Sequence, residues 1–189
     1  MLTVEEVNKT VRIGFEKNVS YVNQYLEGVG LDMGCGSCPL MKPNCLHFDI
    51  SPQPVAVDQV GKDFIHADTT GQLPMVVDNY ADYIFSSHMI EDLPTKDAIV
   101  KCLLRWAAYL KIGGFIVLLC PDMTGGRYPT VEEGGNCSHK INVGRKLFES
   151  MDLEGLSLVQ IDTIPHDTSE TIDIVFLKET SIEIFDGIS

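Results

Sequence analysis

Three aspartates each follow a short apolar run, and closely spaced glycines follow the first of them. Asp32 lies in GLDMGCGSCP (30–39), Asp49 in HFDISP (47–52) and Asp68 in FIHAD (64–68). Glycines allow backbone N–H groups to approach a ligand closely. A carboxylate at a strand end can accept hydrogen bonds from both hydroxyls of a ribose, and a further one can accept from an adenine amine. The pattern predicts an adenosine pocket that contacts no phosphate.

The glycine pair also leaves a second interpretation open, which is a nicotinamide-dependent reductase. Gly34 and Gly36 supply only the first two glycines of a dinucleotide-binding fingerprint, and the third is missing. The incomplete fingerprint argues against this alternative, which would require binding of NADH.

Apolar periodicity predicts the elements that would position these residues. An N-terminal segment (1–28) has helical spacing and stops at Gly28, and the clearest helix covers 95–111, with Thr95 as its N-cap and Gly113-Gly114 as its stop. A shorter helix is predicted at about 143–151. Short apolar runs predict strands at 29–33, 45–50, 63–67, 81–85, 115–120, 156–163 and 172–178.

Strands that alternate with helices predict an α/β fold of the Rossmann-like, doubly wound kind, with a mostly parallel sheet. The short connection between the last two strands predicts a C-terminal hairpin that adds one antiparallel strand. The 189 residues are expected to form a single domain with four parts. These are the N-terminal segment (1–28), a cofactor-binding core (29–122), a substrate-facing loop (123–142) and a C-terminal helix with the strand hairpin (143–189).

Composition and charge narrow the function classes. The chain has 27 acidic against 14 basic residues and a net charge of −13, which disfavours a nucleic-acid partner. No apolar run is long enough to cross a bilayer, and the N-terminus carries acids where a signal peptide carries basic residues. We therefore expect no membrane association, a cytoplasmic location and six reduced cysteines.

Three cysteines and a histidine near the glycine loop raise the question of a metal site. Cys35, Cys38, Cys45 and His47 have the spacing C-x2-C-x6-C-x-H, which is not a usual zinc pattern. Cys35 also lies inside the expected cofactor loop. No metal is predicted.

Taken together, five segments in order resemble the motifs of class I S-adenosylmethionine-dependent methyltransferases. They are most similar to a small single-domain group whose glycine loop ends in proline and whose fourth motif contains Ser-Ser-His. The resemblance covers about residues 29–122, with a plausible end near 179. It implies a seven-stranded sheet and S-adenosylmethionine as the cofactor. The five segments are GLDMGCGSCP, HFDISP, FIHAD, DNYADYIFSSHMIEDLP and YLKIGGFIVLLCPD.

The resemblance also implies roles for individual residues. Asp32 and the loop Gly34, Cys35 and Gly36 would face the methionine part of the cofactor. Asp49, with Ile50 beside it, would hold the ribose, and Asp68 would accept from the adenine amine, with Thr69 nearby. Ser86, Ser87 and His88 would line the floor near the sulfonium.

The chain departs from the pattern of the family that it resembles at two places. Only 12 residues separate Gly36 from Asp49 and they include two prolines, so the crossover helix is expected to shrink to about a turn. Glu91 is followed by Asp92, where relatives commonly have histidine. Glu91 is interpreted as structural.

The predicted function is methyl transfer from S-adenosylmethionine to an unidentified small-molecule or protein acceptor. If the acceptor must lose a proton, His88 is the first candidate for the base and His139 the second. Arg127, Tyr128 and His139 are candidates for substrate contact, although a solvated flap is an equal interpretation of their loop. The alternative function is a non-catalytic protein that keeps the fold for cofactor binding, interaction or regulation. Oligomeric state is not predictable from the sequence.

Overall fold

The computed structural model describes residues 4–51, 54–125, 128–164 and 171–182. The helices are α1 (Val4–Val22), α2 (Pro54–Val60), α3 (Lys96–Tyr109) and α4 (Arg145–Glu149). The strands are β1 (Gly30–Met33), β2 (Cys45–Asp49), β3 (Phe64–His66), β4 (Ala81–Ser87), β5 (Leu110–Pro121), β6 (Leu156–Ile164) and β7 (Thr171–Lys178).

All seven strands form one sheet in the order β3-β2-β1-β4-β5-β7-β6. The first five strands pair in parallel, and β7 runs antiparallel to both β5 and β6. This architecture confirms the predicted Rossmann-like α/β fold with its C-terminal antiparallel strand. In such a sheet, the carboxyl ends of the parallel strands open on one edge, which is where ligands bind.

The central strands are buried on both faces, which explains why their sequences are almost uninterruptedly apolar. On β5, Ile116 and Leu118 face the layer that contains α3, while Val117 and Leu119 face the layer that contains α1. Trp106 of α3 is fully buried. The two helices therefore cover opposite faces of the sheet and hold its middle rigid.

The end of α3 differs from the sequence expectation. Thr95 caps the helix as predicted, because its Oγ1 accepts from Ala98 N at 3.1 Å. The helix nevertheless ends at Tyr109, before the predicted Gly113-Gly114 stop, and β5 begins at the next residue. Gly113 has φ +86° and lies where the β4–β5 register shifts. The glycines thus allow an irregular start to the strand and do not end the helix.

Two further local differences concern helices. The segment Pro54–Val60 forms α2, which the sequence analysis did not predict, and α4 is shorter than its predicted range. Between β1 and β2 the chain forms turns with no helix, in agreement with the expected shortening of that crossover. Among the residues that the structure describes, no helix is long and apolar enough to span a membrane.

Candidate functional site

A cleft of about 770 Å³ lies at the carboxyl ends of β1, β2 and β4 and beside the segment that follows β3. Most of the predicted site residues are brought together in its wall. Helix α1 supplies the opposite wall with Thr10, Val11, Gly14, Phe15 and Asn18, and sequence reasoning missed this contribution. The residues that were predicted from the sequence and do line the cleft are Gly34, Cys35, Gly36, Asp49, Ile50, Asp68, Thr69, Ser87 and His88.

The turn after β1 needs glycine for steric reasons. Gly34 has φ +73°, and a Cβ placed there would lie 2.8 Å from Met89 Cγ. The N–H groups of Gly34 and Cys35 both donate to Phe48 O, at 2.8 and 3.0 Å. Gly36 also has a positive φ, +53°, but a Cβ there would meet nothing within 4 Å. Two kinds of constraint, packing at Gly34 and backbone conformation at Gly36, therefore shape this loop.

Asp32 supports the loop from behind and does not line the cleft. Its side chain is buried, and its Oδ2 accepts from Leu40 N at 2.7 Å and lies 3.0 Å from His47 Nδ1. Burial raises the pKa of the Asp32 carboxyl, while the hydrogen bond from His47 opposes that rise. The carboxylate fixes the far end of the loop, so any effect of Asp32 on a ligand would pass through the backbone.

Asp49 lies at the end of β2 and combines a structural contact with a place in the cleft wall. Its Oδ2 accepts from Gly36 N at 2.8 Å, and its Oδ1 accepts from Ser51 N at 2.7 Å. Each carboxylate oxygen can accept more than one hydrogen bond, so each retains capacity for a further donor. Ile50 beside it is exposed and adds an apolar surface to the cleft.

Asp68 and Thr69 line the cleft next to β3. Asp68 Oδ1 accepts from Thr70 N and Thr70 Oγ1 at 2.9 and 2.7 Å, while its Oδ2 accepts no hydrogen bond from the described residues. Thr69 is buried, and its carbonyl accepts from Trp106 Nε1 at 2.8 Å. The hydrogen bond from the buried Trp106 therefore fixes the backbone of Thr69 at the cleft wall.

The two serines at the end of β4 have different positions. Ser86 is buried and its Oγ donates to Met33 O at 2.7 Å, which joins β4 to β1 below the cleft. Ser87 faces the cleft. Of the predicted pair, Ser87 alone is placed to contact a ligand.

His88 occupies an unusual backbone conformation at the cleft wall. Its φ of +54° is rarely adopted by non-glycine residues, and its N–H donates to Leu119 O at 2.8 Å. The side chain is 44% exposed. Strained conformations of this kind persist where the surrounding structure fixes them, and they cluster at functional sites.

Behind His88 lies a buried acid, Glu91, which sequence reasoning had interpreted as structural. Glu91 is 0% exposed, and its Oε1 lies 3.3 Å from His88 Nδ1 and 3.6 Å from His139 Nε2. Neither Glu91 oxygen has a hydrogen-bond partner in the described structure, nor does His139 Nδ1. The spacing of His88 and Glu91 was available as a sequence signal. The approach of His139 was not, because it depends on how a long loop folds back.

His139 itself does not line the cleft. It is buried, and its ring packs against the ring of Tyr128, with 5.6 Å between centroids. Burial, with a further contribution from Glu91, raises the pKa of Tyr128. Tyr128 and Arg127 were candidates for substrate contact; Arg127 lies outside the described residues.

The six cysteines are all free thiols. No group of three or more His, Cys, Asp or Glu side chains within residues 4–51, 54–125, 128–164 and 171–182 has an arrangement suited to a metal ion.

Residues 31–118 match the family model of a methyltransferase domain. That match covers 88 of the 189 residues and makes this part of the chain similar to methyltransferase domains. The matched residues run from β1 into β5 and therefore include every cleft segment that follows a parallel strand. No curated protein sequence matches the chain significantly.

Several solved structures share the fold of this chain. A SAM-dependent methyltransferase from Archaeoglobus fulgidus has a TM-score of 0.66 at 15% identity, over 90% of this chain and 94% of the other. The N-methyltransferase NodS from Bradyrhizobium japonicum, in complex with S-adenosylhomocysteine, has a TM-score of 0.64 at 13% identity, with 88% and 85% covered. A Burkholderia thailandensis 1,6-didemethyltoxoflavin N1-methyltransferase has a TM-score of 0.62 at 12% identity, with 95% and 92% covered.

Proposed function

We propose that this protein transfers a methyl group from S-adenosylmethionine to a small-molecule or protein acceptor that loses a proton. The observation that carries the proposal is the cleft, in which the glycine loop, Asp49, Asp68 and His88 converge. The net charge of −13 makes a nucleic-acid acceptor unfavourable. Six free thiols fit a reducing compartment, so a cytoplasmic enzyme is part of the proposal.

The residues in the cleft fit an uncharged nucleoside. Asp49 retains capacity on both oxygens for the two ribose hydroxyls, and Asp68 Oδ2 is available to accept from an adenine amine. Ile50 offers an apolar surface to the base. The turn at Gly34–Gly36 carries no bulky side chain at its two glycines, so a ligand can lie close to the backbone.

When bound, S-adenosylmethionine supplies a methyl group on positively charged sulfur, so the acceptor's electron pair forms the new bond to carbon while the carbon–sulfur pair stays on sulfur. The protein's own residues then have two tasks. The cleft walls orient the acceptor and exclude water. His88 takes the proton that the acceptor must release, because among the described residues it is the histidine that lines the cleft.

The direct test is binding followed by turnover. Thermal-shift measurements with S-adenosylmethionine, S-adenosylhomocysteine, NADH and ATP should raise the unfolding midpoint with the first two alone, because only ligands of the native state stabilise it. A panel of small hydroxyl- and amine-bearing compounds and peptides should then yield S-adenosylhomocysteine by mass spectrometry. Stabilisation by NADH alone would contradict the proposal, and cofactor binding with no turnover would favour the non-catalytic alternative.

A further inference from the structure

Glu91 has an environment unlike that of any other acid near the cleft. The residue is 0% exposed, and neither carboxylate oxygen is hydrogen-bonded to any of the described residues. Burial of an ionised carboxylate without compensation is strongly unfavourable. A buried polar group without a partner therefore calls for a specific explanation, such as a catalytic role.

The groups that face Glu91 come from three parts of the chain. His88 and His139 both approach the same atom, Oε1, at 3.3 and 3.6 Å. The charge of Glu91 also acts on Cys120, near the end of β5, and on Tyr128. For both residues, burial is the largest cause that raises the pKa, and Glu91 is the second largest. The backbone of the 123–142 loop is attached as well, because Lys140 N donates to Glu91 O at 2.8 Å.

These contacts give the two histidines different roles. The Nδ1 of His88 faces Glu91, and no described residue is hydrogen-bonded to its Nε2. His139 is buried, approaches the same Oε1 and does not line the cleft. A carboxylate oxygen beside one ring nitrogen of a histidine sets which nitrogen carries the N–H, so Glu91 favours the N–H of His88 on Nδ1, the nitrogen that faces it. The same logic governs the acid that orients the histidine of a catalytic triad.

We propose that Glu91 is a positioning residue that holds the Nδ1–H tautomer of His88, leaves Nε2 to take a proton from the acceptor, and is itself held by His139. This inference rests on the proposed function. It restricts the acceptor to a nucleophile that carries a proton, such as a hydroxyl or a protonated amine. It also gives the 123–142 loop a function, because that loop brings His139 to the carboxylate.

The first test uses the wild-type protein and needs no acceptor. Nitrogen-15 NMR of histidine-labelled protein at pH 8.5, about two units above the ordinary histidine pKa, reports which ring nitrogen carries the proton. His88→Asn identifies the His88 signals by their loss. The expected spectrum shows a protonated Nδ1 and a bare Nε2. A proton on Nε2, whether alone or together with Nδ1, would overturn the proposal, because the ring would then lack a free electron pair toward the cleft.

The second test removes the charge of Glu91 and keeps its size. Glu91→Gln offers an amide N–H to the ring, so the His88 tautomer should switch, and turnover should fall at least about tenfold through kcat with KM unchanged. Glu154→Gln is the matched control, because Glu154 is exposed and far along the chain. A wild-type tautomer and rate in Glu91→Gln would refute the positioning role.

Calorimetric titration with S-adenosylhomocysteine separates this inference from the proposed function. Affinity should be the same in wild type, Glu91→Gln and Glu154→Gln. Absence of binding in all three would reject the cofactor assignment, while the wild-type nitrogen spectrum would still decide how His88 is oriented. Loss of affinity confined to Glu91→Gln would show that Glu91 shapes the cleft as a whole and would reject a role specific to His88.

Discussion

The carboxylates at the strand ends and the carboxylate of Glu91 behind His88 have opposite hydrogen-bonding environments. Asp32, Asp49 and Asp68 each accept at least one backbone N–H, so each supports the turn that follows its strand. The side chain of Glu91 accepts no hydrogen bond within the part of the chain that the structure describes, although it is more deeply buried than Asp49 or Asp68. The first group would keep its geometry without any ligand. Glu91 instead has the imidazoles of His88 and His139 at 3.3 and 3.6 Å from its Oε1.

This difference shows that a structural contact does not argue against a binding role. Asp49 fixes Gly36 and Ser51 and still has acceptor capacity toward the cleft. Its structural contacts hold the carboxylate in place in advance, which lowers the entropic cost of binding a ligand. An acid without such contacts, by contrast, needs a chemical reason to be buried.

The largest effect is expected from the histidine that Glu91 faces. His88→Asn removes the proton acceptor but suits the positive φ, because asparagine tolerates the left-handed region better than most residues. Turnover should fall by about 10²–10⁴-fold, the usual contribution of a general base. Initial rates of S-adenosylhomocysteine formation would measure this. Calorimetry should show a much smaller loss of affinity for S-adenosylhomocysteine than the loss of turnover, and a wild-type rate would refute the assignment of His88 as the base.

A smaller loss is expected at Asp49, and it should appear in binding. Asp49→Ala removes the acceptor for two ribose hydroxyls, and each hydrogen bond to a charged group is worth about 1.5–3 kcal/mol at most. Because the N–H groups of Gly36 and Ser51 also lose their acceptor, we expect affinity for S-adenosylhomocysteine to fall by about 10–100-fold. Asp58→Ala, at an exposed position on α2, is the matched control. Equal affinities of the two variants by calorimetry would remove Asp49 from the site.

The sequence was sufficient for the features that depend on local pattern. Apolar runs ending in Asp32, Asp49 and Asp68 reveal three parallel strands, since a buried strand must be apolar and its carboxyl end must turn. The same pattern could not show that Asp32 faces away from the cleft. That depends on Leu40 and His47, which come from the loop and the neighbouring strand.

Features made by distant parts of the chain could not be predicted in this way. Helix α1 has ordinary amphipathic spacing, and nothing in that spacing says that Val11 and Phe15 would form a cleft wall. His139 meets Glu91 although 47 residues lie between them in the sequence. Such contacts are set by loop closure and packing, for which a single sequence carries no periodic signal.

Gly34 and Gly36, the two glycines of the loop after β1, differ in what an added side chain would contact. Alanine at either position must adopt a positive φ, which costs about 1–2 kcal/mol. Gly34→Ala also brings a Cβ to 2.8 Å from Met89 Cγ, whereas Gly36→Ala meets nothing within 4 Å. Urea unfolding should therefore show Gly34→Ala to be less stable than Gly36→Ala by about 1 kcal/mol. Equal free energies of unfolding would mean that Met89 moves aside freely and that packing does not constrain the loop.

The smallest effect is expected at an acid that has a backbone partner but lies outside the cleft. Asp82 accepts from Lys111 Nζ at 2.6 Å and from Val29 N at 2.8 Å, and the hydrogen bond with Lys111 is the main cause that lowers its pKa below 3.8. Because the pKa of Asp82 is lower in the folded state than in the unfolded state, its ionised form stabilises the fold when the pH is above the unfolded-state pKa. This contribution is lost as the pH falls through the folded-state pKa. Asp82→Asn keeps an acceptor for Val29, so it should cost only about 0.5 kcal/mol near pH 7, because the pair is partly exposed. Urea titrations from pH 7 to pH 3 should show this difference shrinking toward acid, with cofactor affinity unchanged throughout. If the difference in free energy of unfolding between wild type and Asp82→Asn stays constant with pH, Asp82 contributes through its shape and hydrogen bonds and not through its charge.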